Sequence, residues 1–165
     1  MNKRILLLLT GLMFVINMEA QTEVYSMKKE GNLLQTLKKE YRSAFMMIKE
    51  GVFDTVEGVV QNEEEFDALY EKYWQFLTDM ATFFKQNEFF LNEKMFMVMF
   101  FNKDGEPQYI FYNAAETSVL SDEKKEDKFK QLLKEFSKTN KINYPMRDKY
   151  SQCGTIHLEI MEDKK

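Results

Sequence analysis

Cysteine is almost missing from this chain: 165 residues hold one, Cys153. A lone cysteine closes no internal disulfide, so stability has to come from packing. Histidine is as scarce, with His157 standing alone. One Cys and one His cannot complete a closed tetrahedral metal set. Two prolines and six glycines argue against long flexible linkers. No glycine-rich phosphate loop, nucleophile elbow or zinc-binding helix motif occurs. Basic charge is not in excess either: 23 Lys and Arg stand against 27 Asp and Glu, a net charge of −4. Such a chain does not attract phosphate backbones, which argues against a nucleic-acid partner.

The first twenty residues have a character of their own. Lys3 and Arg4 precede an apolar stretch from Ile5 to Ile16, and Ala20 follows. Two cations, a short apolar run and a small residue are the parts of a cleavable signal peptide. An uncleaved anchor would need roughly 20 apolar residues to span a bilayer. Residues 1–20 therefore read as a signal peptide cut after Ala20, and the rest as periplasmic or secreted. No cysteine lies near residue 20 to carry a lipid, and no later segment is apolar enough to span. The mature chain is then expected to be free of a membrane anchor, with 21 basic and 26 acidic residues once Lys3, Arg4 and Glu19 are gone.

Fifteen Phe, eight Tyr and twelve Met supply bulky material for one core. Residues 21–61 read as a helix and connector, and 62–165 as an α+β region, together one globular domain. Leu34, Leu37, Tyr41, Ala44, Phe45 and Ile48 recur at helical spacing, which predicts a helix from Gly31 to Gly51. Val52 to Val60 is a connector or a small strand. Asn62 and Glu65 have capping-box spacing, and Phe66, Leu69, Tyr70, Tyr73, Leu77, Met80 and Phe84 form the stripe of a second helix. Met95–Phe101 and Tyr109–Tyr112 flank Asn102-Lys103-Asp104-Gly105, the pattern of a β-hairpin. A third helix starts with Ser121 as N-cap and carries Phe129, Leu132, Leu133 and Phe136 on one face. Tyr144-Pro145 interrupts the pattern. Thr155 to Met161 alternates, with Ile156, Leu158 and Ile160 on one face and Thr155, His157 and Glu159 on the other. The expected fold is α+β: a small, mainly antiparallel sheet in the order α-α-β-β-α-β, with helices on one face.

Three groups of residues could carry chemistry, and each has a plainer reading. Cys153 and His157 could form a nucleophile and base. Four residues along a strand separate them by roughly 13 Å, beyond hydrogen-bond reach. Asn102, Asp104 and Glu106 alternate oxygens as calcium loops do, but the loop is too short, and a hairpin turn explains them. Glu63 to Asp67 resembles an acidic catalytic pair, and helix capping explains it. No catalytic residue, metal or cofactor is assigned. The aromatic stripe around Trp74 offers another reading, a ligand pocket between helix 62–86 and the sheet, used by a small-ligand carrier or an enzyme-like protein.

The segment Met97-Val98-Met99-Phe100-Phe101-Asn102-Lys103-Asp104-Gly105-Glu106 is a strand ending in an N-K-D-G hairpin. The amphipathic stretch Ser121–Asn140, Tyr144-Pro145 and Gly154-Thr155-Ile156-His157-Leu158-Glu159-Ile160 follow it. Residues 62–162 in this arrangement resemble the TonB C-terminal domain family of cell envelopes, in which an aromatic-Pro segment precedes a Gly and a final alternating strand. The resemblance implies an α-β-β-α-β order from Asn62 onward. It also implies a detached, non-enzymatic module that binds an envelope protein or peptide by adding it as a strand to the sheet edge. Thr155, His157 and Glu159 mark the expected edge.

Overall fold

The computed structural model describes residues 21–44, 59–60, 62–115 and 118–158. Residues 1–20, Glu159 and most of the Val52–Val60 connector lie outside them. The fold is α+β, with three helices and a five-stranded mixed sheet. The elements are β1 (Glu23–Ser26), α1 (Gly31–Glu40), β2 (Arg42–Ser43), α2 (Glu63–Gln86), β3 (Leu91–Phe101), β4 (Pro107–Asn113), α3 (Glu123–Thr139) and β5 (Tyr150–Leu158).

The strands lie in the order β1-β4-β3-β5-β2. Three central strands are antiparallel; β1 joins β4 and β2 joins β5 in parallel. The long pairings are antiparallel, as expected, and the sheet is mixed because two short parallel strands absent from the expected order are added at its ends. Neither is long enough to show a period: β1 has four residues and β2 two. The expected helix from Gly31 to Gly51 ends at Glu40, and Tyr41 is already extended. Tyr41 keeps the helical phase in the sequence yet serves the next element, packing its ring 5.1 Å from Phe100.

The second correction concerns the layers. The helices do not share one face of the sheet. Met95, Met97, Met99 and Phe101 of β3 point to the side covered by α2 and α3. Val98 and Phe100 point to the opposite side, where Leu34 and Leu37 of α1 pack with Phe111. The physical reason is legible in β3 itself. A strand with one wet face alternates; Met95–Phe101 does not, because most of both its faces is buried.

Local chemistry fixes the helix ends. Asn62 caps α2, its side chain accepting from the Glu65 N–H at 2.8 Å, with Glu63, Glu64 and Glu65 in the first turn where the helix dipole favours anions. At the far end Phe89 N–H donates to Phe84 C=O and Glu88 N–H to Lys85 C=O, each at 3.0 Å. This is a Schellman closure, completed by the Phe84–Phe89 ring contact at 5.7 Å. For α3 the cap is Asp122, not Ser121: Asp122 accepts from Lys125 N–H at 3.0 Å. Ser121 ends a short 3-10 turn, Val119–Ser121, and its hydroxyl donates to Ser118 C=O.

The hairpin turn holds its predicted place. Asn102 Oδ1 accepts from Asp104 N–H and Glu106 N–H, at 2.9 and 3.0 Å, so this oxygen serves the turn. Gly105 has φ +79°, and a Cβ there would stand 2.0 Å from the Ile142 carbonyl oxygen. Only glycine fits both demands.

Candidate binding surface along the last strand

β5 spans Tyr150–Leu158, starting five residues before the expected Thr155; Glu159 to Met161 lie outside the described residues. One flank of β5 is paired with β3 from Leu158↔Leu91 to Tyr150↔Phe101, with one shift in register near the Leu91 end. The other flank meets β2 at Tyr150 and Ser151. Beyond Ser151, no strand among the described residues pairs with it on that side.

The direction of the backbone groups follows from one bond. Ala44 N–H donates to Ser151 C=O at 2.8 Å, so the peptide groups of Ser151 point away from β3. Backbone groups alternate sides along a strand, so those of Cys153, Thr155 and His157 also point away from β3. The regular register of β5 from Tyr150 to His157 against β3 keeps this phase unbroken. Within the row, the Gln152 side-chain amide donates to Cys153 C=O at 3.1 Å.

The side chains beside this row form an open surface. Thr155 stands opposite Phe96, Cys153 opposite Val98, and His157 is in register with Lys94. Phe96 lies two residues before Val98, on the α1 side of the sheet, but beyond the reach of α1, and it is 41% exposed. Cys153, Thr155, Lys94 and Asn113 are exposed as well. The sequence reading did not single out Phe96 or Lys94; they belong to another strand, and only pairing brings them beside Thr155. Cys153 and His157 both fall in the extended β5, which spaces them by roughly 13 Å along the chain.

The opposite side of β5 is closed. Tyr150 and Ile156 are buried under α2. Gly154 faces Tyr73, whose hydroxyl would lie 3.1 Å from a Cβ at that position. The hydroxyls of Tyr73 and Tyr150 are buried with no hydrogen-bond partner among the described residues. Burial, followed by the nearby Cys153 and Tyr150, pushes the Tyr73 hydroxyl far above its ordinary ionisation; burial does the same to Tyr150. Both hydroxyls therefore stay un-ionised near neutral pH. Between α2 and the sheet the space is filled by Phe76, Met80, Phe84, Met97 and Phe101, all buried, while Trp74 is 50% exposed.

Among the described residues no group of three or more His, Cys, Asp and Glu side chains could hold a metal, and no helix is long and apolar enough to cross a membrane. In comparisons with known proteins, no family model, no curated protein and no solved structure matched the chain.

Proposed function

We propose that this chain is an exported, non-enzymatic binding module of the cell envelope that takes a peptide as an added strand along the outer flank of β5. The reading extends the resemblance to the TonB C-terminal domain family to its sheet-edge recognition. One observation carries it. The bond from Ala44 N–H to Ser151 C=O sets the phase in which Cys153, Thr155 and His157 direct their backbone groups outward. A strand laid there would gain a ladder of main-chain hydrogen bonds, and Phe96 beside it offers an apolar contact for one side chain.

The same phase makes the test clean. Proline at Thr155 or His157 removes an outward N–H and leaves the β3 ladder its donors. Affinity capture from envelope extracts is compared across Thr155→Pro, Thr155→Ala, His157→Pro and His157→Ala, each first shown folded by circular dichroism. The proline variants are expected to lose the captured partner and the alanine variants to keep it. Loss with His157→Ala in a folded protein would instead indicate a side-chain site. Export is tested separately, by sequencing the N-terminus of the protein from envelope fractions, where a start within two residues of Gln21 is expected.

A further inference from the structure

Where α2 ends and α3 begins, Glu88, Phe89, Phe90, Val119, Lys124, Lys125 and Lys128 line a surface recess of about 360 Å³. Its floor is apolar and fixed: Phe89 stacks on Phe129 at 5.9 Å and packs on Phe84. Phe90 is half-buried, and Val119 is 41% exposed. The rim is basic, three lysines against one glutamate, in a chain whose net charge is −4.

This imbalance comes from the way α3 sorts its charges. Lys124, Lys125 and Lys128 share one face of the helix by their spacing. Of the acids in the same turns, Glu126 is withdrawn from this face, buried against Tyr112 and bonded to Lys29. Lys124 and Lys125 sit in the first turn of a helix, where the dipole disfavours cations. Sequences keep such a local conflict mainly where a site requires it.

We propose that this recess binds a carboxylate with an apolar tail, of the fatty-acid class, its chain on Phe89, Phe90 and Val119 and its carboxylate among the three lysines. An anion there would also relieve the unfavourable position of Lys124 and Lys125 at the helix start. The site is separate from the β5 flank and does not depend on that reading.

The probe is laurate, kept below its micelle concentration and added to the folded protein. Amide chemical shifts are followed by NMR, with dodecanol and dodecyltrimethylammonium as matched neutral and cationic chains. Saturable laurate binding is expected, with shifts centred on Phe89, Phe90, Val119 and Lys124 to Lys128, and with weaker binding of both other chains. The triple variant Lys124→Gln, Lys125→Gln, Lys128→Gln should fold normally and bind laurate about tenfold more weakly. Val119→Asp, which places a carboxylate on the floor, should abolish binding. Equal binding of dodecanol, shifts centred elsewhere, or no saturable binding would each overturn the proposal. So would binding to anionic lipid vesicles without binding to laurate, which would make the patch a membrane contact instead.

Discussion

Tyr150 brings a hydroxyl to a place that offers it nothing. The side chain is fully buried, its ring stacked on Phe101 at 5.1 Å, and its oxygen has no partner among the described residues. Leaving a buried hydroxyl unpaired costs about 1–3 kcal/mol. The ring supplies the packing, so removing only the oxygen should help. Tyr150→Phe is expected to raise stability by about 1 kcal/mol in urea unfolding. A loss of comparable size would mean the hydroxyl holds a bound water that bridges it to the core. Glycine 154 belongs to the same neighbourhood. It leaves the space that the Tyr73 hydroxyl occupies, so the glycine before the alternating segment reads as a close approach of helix and strand rather than as a break in β5.

At the scale of elements, α3 is the clearest case of sequence pattern becoming structure. Phe129, Leu132, Leu133 and Phe136 fall at helical spacing and are all buried against the sheet. Phe136 sits between Phe76 and Phe83, with ring centroids 5.1 and 5.6 Å away. Its truncation opens a cavity that Phe76 and Phe83 cannot close. Phe136→Ala and Leu132→Ala are each expected to cost roughly 2–5 kcal/mol, measured by urea unfolding. A mild effect would show that α3 stands loosely on the sheet. The long helices and the hairpin were legible because each carries its signal within one stretch of chain: a stripe, a cap, an Asn-Asp-Gly turn. β1 and β2 were not, since strands of four and two residues are defined by what they pair with. The same limit applies to the candidate surface. Thr155 could be placed on an outward face from alternation alone, but Phe96 joins it only through the β3–β5 register. The run Met95–Phe101 did carry the message that most of both sheet faces are covered, and the expectation of helices on one side overlooked it.

Across the whole molecule, one carboxylate ties the first segment of the chain to the rest. Glu126 of α3 accepts hydrogen bonds from the Tyr112 hydroxyl of β4 and from Lys29, at 2.8 Å, in the turn between β1 and α1. Lys130 approaches the same carboxylate at 3.2 Å. Burial works against the charge on Glu126, but hydrogen bonds from Lys29, Tyr112 and Lys130 outweigh it and lower its pKa from 4.5 to about 2. Burial and the Glu126 carboxylate in turn raise the ionisation of Tyr112, so it stays a neutral donor. A carboxylate with a depressed folded-state pKa stabilises the protein fully above its unfolded value. That contribution fades as pH falls from about 4.5 toward about 2, because the unfolded chain takes up the proton first. Glu126→Gln removes the titrating group and keeps most of the volume. The variant is expected to be clearly less stable than the parent at pH 7, with the gap narrowing steadily below pH 4.5. Comparing the two proteins at each pH cancels the other carboxylates they share. Thermal unfolding of both from pH 7 down to pH 2.5 checks this, and a gap that does not change with pH would mean that the buried contact is held by shape and not by charge.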